Sequence, residues 1–143
     1  MISKSIFSFF ICFLIFLFSE QSYSGEVSDV IVKSKINKDT ILIGDHVELQ
    51  VTIDCKPGTK IIWPDIHDMF TELELLEKSK IDTVSNSGRT TLNTNITLTC
   101  FREGIYTIPS LVFMYEKNSS LYPAKTDSLI LVVNTIKKLD ADI

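Results

Sequence analysis

The stretch that decides the fold is His46–Cys55, which reads HVELQVTIDC and alternates strictly between apolar and polar residues. A strand turns successive side chains to opposite faces of a sheet, so this period of two predicts a half-buried strand. The same pattern recurs in Thr90–Phe101 (TTLNTNITLTCF) and in Ser128–Thr135 (SLILVVNT). Weaker strands of the same kind are predicted at Val27–Ile36, Leu73–Ser85 and Ser110–Glu116.

Turn-forming residues separate these strands. Asn86-Ser87-Gly88 predicts a hairpin, because Asn and Gly tolerate positive φ. Six to eight short strands with regular turns are typical of an all-β fold. The strands and turns therefore predict an antiparallel β-sandwich. The run Phe101–Ile108 predicts that the sandwich is immunoglobulin-like, and the first residues predict that an N-terminal signal-peptide helix precedes it. Further corners are predicted at Gly44-Asp45, Lys56-Pro57-Gly58, Arg102-Glu103-Gly104 and Asn118-Ser119-Ser120.

One segment breaks the period of two. Ile66, Met69, Phe70 and Leu73 fall at i, i+3, i+4 and i+7, which is the spacing of one helix face. The sequence therefore predicts a short helical crossover over Asp65–Glu72. It would plug the end of the core at the rim of the sandwich.

The first residues read as an export signal. A single Lys precedes an apolar run over residues 6–18, and small residues follow it. This layout is typical of a secretory signal peptide, and a helix over that run reaches only ~20 Å of a ~30 Å hydrocarbon core. We expect a signal peptide over residues 1–24, a β-sandwich over 25–136 and a polar tail over 137–143. The mature chain would be exported to the periplasm or the extracellular space, without a membrane span.

Composition excludes several function classes. The 143 residues are 45% hydrophobic and 22% charged, which excludes a disordered chain. The net charge of −4 leaves no basic footprint for nucleic acid. Asp65, His67 and Asp68 are close in sequence, but His46 lies on another element, so no metal site is predicted. No hydrolase motif is present, so neither an enzyme nor a cofactor is predicted.

The run Phe101–Ile108, which reads FREGIYTI, has the layout of a tyrosine corner. In this motif a Tyr hydroxyl bonds back to the backbone just upstream, and Tyr106 is the residue in that position. Antibody domains carry Cys two residues later, where this chain has Ile108. Apolar packing is therefore expected to replace the inter-sheet disulfide. Trp63, on a short third strand, is the predicted core indole.

Cys55 and Cys100 are the two thiols of the predicted mature chain. They end two strands that run antiparallel in an immunoglobulin-like order. Several residues at ~3.3 Å each then separate them, which exceeds the ~7 Å Cα limit for a disulfide. The sequence favours buried free thiols. Pairing is the alternative, since two Cys in a secreted chain usually bond.

Several short runs together resemble the N-terminal periplasmic region of BatD-like proteins, the oxygen tolerance or aerotolerance family. The resemblance covers Val27–Thr135. It implies an envelope protein with immunoglobulin-like β-domains, von Willebrand A-type partners and no known catalytic residues. Members continue into further domains and a membrane helix, so this chain is read either as a stand-alone secreted form or as part of a longer protein. The runs are Ile43-Gly44-Asp45, Ile62-Trp63-Pro64, Lys80-Ile81-Asp82-Thr83 and Gly104-Ile105-Tyr106-Thr107-Ile108-Pro109.

The functional interpretation is a non-catalytic protein-interaction or scaffold module of the cell envelope. Its partner would be an envelope protein, with von Willebrand A-type proteins as the candidates that the resemblance implies. The alternative is a carbohydrate-binding β-sandwich, with Trp63, Tyr115 and Tyr122 as an aromatic platform.

Export gives the first testable prediction. Mass spectrometry of the protein from an envelope fraction should find an N-terminus near Gly25, because cleavage is expected after Ser24. An intact Met1 on the mature protein would contradict the signal peptide.

Overall fold

The structure is a computed structural model that describes residues 28–136. The predicted signal-peptide helix and the polar tail lie outside the described residues. Within the described range the chain forms eleven strands and no helix, which confirms the all-β prediction. The strands are β1 (Val30–Ile36), β2 (Thr40–Leu42), β3 (His46–Cys55), β4 (Ile61–Ile62), β5 (Glu74–Lys78), β6 (Asp82–Asn86), β7 (Arg89–Thr99), β8 (Gly104–Ile108), β9 (Val112–Lys117), β10 (Ser120–Lys125) and β11 (Leu129–Asn134).

The first layer is built on one long antiparallel pair. β3 and β7 run side by side from His46 opposite Thr99 to Cys55 opposite Thr90. β1 pairs with the other side of β3. β5 and β6 pair one after the other with the other side of β7. The order of this sheet is therefore β1, β3, β7 and then β5 with β6.

The second layer consists of two three-stranded sheets, β10-β9-β4 and β2-β11-β8. β8 and β9 follow one another along the chain, and so do β10 and β11. The two sheets are therefore successive halves of one long hairpin, whose turn is Asn118-Ser119. Both turn residues have positive φ, as a two-residue type I′ turn requires. β2 joins the layer by pairing in parallel with β11.

This strand order is that of an immunoglobulin-like sandwich. β1, β3, β7 and β5/β6 occupy the places of strands A, B, E and D. β4, β8/β9 and β10/β11 occupy the places of C, F and G in the other sheet. β2 is the part of the first strand that crosses to the second layer. The predicted fold class is confirmed.

A shared core lies between the layers. Every second residue of β3 faces it, and the side chains of Val47, Leu49, Val51 and Ile53 have no exposed area. The second layer contributes its own alternating set from four strands. These residues are Ile41, Tyr106, Ile108, Phe113, Leu131 and Val133.

The helical crossover predicted at Asp65–Glu72 is wrong, because this segment forms turns and bends. The Met69 N–H donates to the Ile66 carbonyl at 3.3 Å, which closes a single turn. Asp65 Oδ1 accepts the His67 N–H at 3.1 Å, a local bond that competes with helix formation. So short a helix is also unstable without packing. Ile66 and Phe70 are nevertheless buried, so the predicted plugging of the core is retained.

Three details of the strands also differ from the sequence predictions. The stretch predicted as one strand at Leu73–Ser85 is split into β5 and β6, with a register shift between Leu75 and Glu77. β2 is too short to produce a period in sequence. β10 was not predicted, because its alternation is interrupted by Pro123.

The two halves of the second layer are joined around Pro109, which has no N–H to donate to a ladder. Thr126 replaces the missing bonds. The Leu111 N–H donates to Thr126 Oγ1 at 3.0 Å, and the Thr126 N–H donates to the Leu111 carbonyl at 3.0 Å. The Ser110 hydroxyl donates to the Thr126 carbonyl. Thr126 is buried, so its hydroxyl satisfies a donor that water does not reach.

An ionic contact joins the layers at the end of the sandwich where β1 begins. The Asp29 carboxylate pairs with Lys56, after β3, at 2.7 Å, and with Lys117, at the end of β9. The hydrogen bonds from Lys117 and then from Lys56 lower the pKa of Asp29 to about 2. Asp29 therefore stays ionised near neutral pH and keeps both contacts.

The Thr126 junction gives a stability prediction. Thr126→Val keeps the shape but leaves the buried Leu111 N–H unpaired, so the free energy of unfolding should fall by about 1–3 kcal/mol. Thr126→Ser keeps the hydroxyl and should lose clearly less. Urea unfolding of the two variants checks this, and equal losses would show that the hydroxyl is not the cause.

Candidate functional site

The side of β2, β11 and β8 that faces away from the core is apolar. The register places Val132 between Ile105 of β8 and Thr40 of β2. Ile130 precedes Val132 by two residues and shares its face, and Leu42 follows Thr40 in the same way. We name Leu42, Ile105, Ile130 and Val132 the apolar face.

No outward position of these three strands holds a charged residue. The remaining outward positions are Thr40, Thr107 and Asn134. Ile105 is 75% exposed and Ile130 is 54% exposed, although 22% of the whole chain is charged. Contiguous apolar area in contact with water is unfavourable and commonly marks an interaction site.

The apolar face continues past the strand ends. Ile43 follows β2, Ile136 lies two residues after β11, and Phe101 lies shortly before β8, and all three are exposed. The Ile43 N–H donates to the Asn134 carbonyl at 2.9 Å, which holds Ile43 beside β11. A Cβ on Gly44 would lie 4.0 Å from the Phe101 ring, so Phe101 lies beside the same turn.

The other half of the second layer is also apolar on its outward side. Ile62 of β4 lies opposite Met114 of β9, and Met114 lies opposite Pro123 of β10. Val112 and Leu121 share this side and are about half exposed. Charged residues return only at the strand ends, with Glu116 and Lys125.

The first layer has the opposite character on its outward side, which we name the polar face. Its groups bond with one another across the strands. Thr52 Oγ1 donates to Asn93 Oδ1 at 2.9 Å, and Arg89 Nε donates to Asp54 Oδ1 at 2.8 Å. The two outer surfaces of one sandwich therefore differ in chemistry. Ile31 beside Asp54 and Val84 beside Thr91 are the exposed apolar exceptions on this side. The polar face consists of Lys33, Lys35, Glu48, Gln50, Thr52, Asp54, Thr91, Asn93, Asn95 and Thr97.

A tyrosine corner fixes the start of β8, where Ile105 lies. The Tyr106 hydroxyl donates to the carbonyls of Arg102 at 3.0 Å and Glu103 at 3.4 Å. A Cβ on Gly104, whose φ is +154°, would lie 3.3 Å from the Tyr106 ring. The ring therefore lies against a residue that has to be glycine. Because Tyr106 faces inward, the neighbouring Ile105 is turned outward.

The Cys100 thiol lies within the same corner. It donates to the Arg102 carbonyl at 3.3 Å and to the Glu72 carbonyl at 3.6 Å. The hydrogen bond between the Cys100 thiol and the Tyr106 hydroxyl, followed by burial of the phenol, raises the pKa of Tyr106. The corner thus joins the end of β7 to the segment before β5.

The two thiols are free and lie at opposite ends of the β3–β7 pair. Cys55 faces Thr90 at one end, whereas Cys100 directly follows Thr99 at the other. Burial, followed by the Asp54 charge, raises the pKa of the Cys55 thiol. Both thiols are buried, and the raised pKa makes Cys55 a poor nucleophile.

The structure places the remaining predicted residues in or beside the core. Ile108 is buried. The predicted strand position of Trp63 is wrong, because β4 ends at Ile62 and Trp63 directly follows it. Trp63 is half-buried and forms an edge-type contact with the Phe113 ring, with ring centroids 5.1 Å apart. Lys78 Nζ lies over the indole, 5.3 Å from its centroid. Trp63 therefore contacts both the Phe113 ring and a lysine, and it packs against the core and not beside the two tyrosines as an exposed ring.

Tyr115 and Tyr122 are direct cross-strand partners. Their ring centroids lie 5.8 Å apart with an angle of 31° between the planes. They share the inward side of β9 and β10 with Phe113, and Tyr115 is half-buried. The two rings lie together, but without Trp63 and without the coplanar, exposed arrangement that a sugar platform needs.

Within residues 28–136, no three His, Cys, Asp or Glu side chains come close enough to hold a metal ion. His46 begins β3, whereas Asp65, His67 and Asp68 lie in the turn segment. No helix in this part of the chain is long and apolar enough to cross a membrane.

Sequence reasoning missed the apolar face. The run Leu129–Val133 is uniformly apolar and was interpreted through its inward residues alone. The available signal was the alternation itself: Ile105 directly precedes Tyr106 and Ile130 directly precedes Leu131, and both of these following residues have to face the core.

The chain is similar to one protein family and to a solved immunoglobulin-type domain. The family described as the BatD DUF11 like domain matches residues 34–129. Among solved structures, the BIgI domain of beta protein from S. agalactiae, bound to CEACAM1, is 11% identical. That match covers 74% of this chain and 99% of the other, with a TM-score of 0.39. A search of curated proteins found no match.

The tyrosine corner gives the next prediction. Tyr106→Phe removes the donor to two carbonyls, so the free energy of unfolding should fall by about 1–2 kcal/mol. Tyr122→Phe is the matched control, because Tyr122 is exposed, and its change should stay within about 0.5 kcal/mol. Denaturant unfolding measures both changes. Similar losses in the free energy of unfolding for the two variants would contradict a structural role of the Tyr106 hydroxyl.

The thiols can be tested by alkylation. Unfolded, unreduced mature protein should take two labels, and reductant should leave the melting temperature nearly unchanged. A Cys55–Cys100 bond would close a loop of about 45 residues and stabilise the fold by roughly 3–4 kcal/mol. The absence of label would contradict free thiols.

Proposed function

This chain belongs to the BatD family, whose DUF11-like domain covers residues 34–129, and we propose that it is a non-catalytic protein-interaction or scaffold module of the cell envelope. The observation that carries the proposal is the apolar face. Three adjacent strands expose apolar side chains and no charge, whereas the other outer surface of the same sandwich is polar.

The chemistry of the apolar face favours a folded protein as the partner. The fully buried centre of a protein interface is depleted of charge, as this surface is. β-branched side chains on a sheet lose little rotamer entropy when they are covered, because their χ1 angles are already restricted. A partner with a similarly uncharged surface would remove Ile105 and Ile130 from water at no cost in charge desolvation.

The candidate partners follow from the family. The resemblance noted above implies von Willebrand A-type proteins encoded with BatD-like proteins, and these are the first to test. The proposed location is the periplasm or the extracellular space, where the predicted signal peptide would deliver the chain.

The test compares variants of the two outer surfaces. Ile105→Asp combined with Ile130→Asp places two carboxylates on the apolar face, and Asn95→Asp combined with Thr97→Asp places two on the polar face. Binding to purified von Willebrand A-type proteins of the same envelope is measured by titration calorimetry. The first variant should bind on the order of tenfold more weakly or worse, and the control should bind like the natural chain.

Three results would contradict the proposal. Equal binding by both variants would remove the apolar face from the interface. Polysaccharide binding on a glycan array that is lost in Tyr122→Ala would support the carbohydrate-binding alternative. Catalytic turnover by the purified protein would exclude a purely non-catalytic role.

A further inference from the structure

A second surface, on the first layer, is the outer edge of β1. β1 ends the order of the first sheet and forms a ladder only with β3, so within the described residues its other side has no hydrogen-bonded strand, although β10 of the second layer lies near β1. The pairing runs through seven consecutive residues without a register shift, and β1 contains no proline. An open edge of this kind can accept an added strand.

The other strand edges are less suited to pairing. β5 has a register shift between Leu75 and Glu77, and three residues separate β5 from β6. β2 and β4 are only three and two residues long, and β10 contains Pro123. Irregular, short or proline-bearing edges resist strand addition. β6 and β8 also pair on one side only, but each has five residues, so β1 with seven residues is the longest regular edge of residues 28–136.

The hydrogen bonds at the end of β1 show which main-chain groups point outward. The Asn37 N–H donates to the Glu48 carbonyl at 3.0 Å. Residues of an antiparallel pair turn both main-chain groups alternately toward and away from the partner strand. Counting back from Asn37, residues Val32, Ser34 and Ile36 turn their N–H and C=O groups away from β3.

The side chains along the β1 edge are sorted by charge. Val32, Ser34 and Ile36 are half-buried and point toward the core side. Lys33 and Lys35 are exposed and lie on the polar face, opposite Thr52 and Gln50. Neither lysine forms an ion pair with any residue of the described range. The chain as a whole is acidic, so this positive pair is local.

We propose that the β1 edge binds an extended acidic segment of a partner protein as an additional strand. Main-chain groups of the segment bond to Val32, Ser34 and Ile36. Its carboxylates, at alternate positions, lie beside Lys33 and Lys35, and its intervening apolar residues lie along the core side. Cross-strand neighbours on one face are close enough for ion pairs.

The lysines also give selectivity. Edge lysines discourage pairing with neutral or basic strands, which is a common protection against aggregation. A strand with carboxylates in matching positions turns this protection into recognition. The β1 edge belongs to the first layer, whereas the apolar face lies on the second. Loss of the proposed function at the apolar face would therefore not contradict strand binding at β1.

The experiment uses two synthetic peptides of seven residues with blocked ends. One alternates valine with aspartate, and the other alternates valine with lysine. Chemical shift changes of the purified protein report binding and its location. The acidic peptide should shift the amides of β1 and should bind more weakly as salt is raised. The basic peptide should not bind.

Two variants test the two parts of the edge. Lys33→Glu combined with Lys35→Glu should weaken the acidic peptide by about tenfold or more and should admit the basic one. Ser34→Pro removes an outward N–H while leaving the bonds to β3, since proline is tolerated where an edge N–H faces solvent. It should remain folded by circular dichroism and lose binding. Lys80→Glu combined with Lys125→Glu makes the same charge change elsewhere and should bind normally.

Several results would overturn the inference. One is the absence of any shift in β1 at millimolar acidic peptide. Another is binding that survives in folded Ser34→Pro or in the Lys33/Lys35 reversal. A third is oligomers of the peptide-free protein that Ser34→Pro dissociates, because they would show that a second copy occupies the edge.

Discussion

The antiparallel pairing of β3 with β7 is the interaction on which the rest of the structure depends. It is the longest ladder of the described residues, and it carries β1 on one side and β5 and β6 on the other. Because its register is fixed over ten residue pairs, one side of the pair is apolar except for Thr90 and Thr94, and the other side is polar. A slip of one residue would turn Leu49 and Val51 outward, so the core itself enforces the register.

The core also determines which residues of the second layer are exposed. Tyr106, Ile108, Leu131 and Val133 must face inward to meet β3 and β7. The residues between them then face outward, whatever their chemistry. On most exposed sheets these would be polar, and on β8 and β11 they are mainly isoleucine, valine and threonine. Their apolar character therefore contributes nothing to the core, and this is why we propose that the apolar face binds a partner.

Much of the fold could be predicted from the sequence, because alternation is a direct consequence of burial on one side. The bounds of β3 agree with the prediction, and β7 differs by one or two residues at its ends. The segment around Ile66 misled the prediction, since helical spacing and a buried turn place apolar residues in the same way. The apolar face was not predicted, because a run such as SLILVVNT shows the same apolar letters on both sides of the strand. Only the pairing of β8 with β11 reveals which of them are exposed.

We propose that a partner covers the apolar face in the cell, whereas the part of the polar face on β3 and β7 stays in contact with solvent. Two variants, each with one added cysteine, test this. Thr107→Cys lies on the outward side of β8 beside the apolar face, and Asn95→Cys lies on the polar face. The native thiols of Cys55 and Cys100 are buried and should not react with a polar maleimide. The measurement is the labelling rate in intact cells relative to that of the purified protein. We expect the labelling of Thr107→Cys to be slower in cells than in solution and the labelling of Asn95→Cys to be unchanged. Equal rates for the two variants in cells and in solution would contradict it.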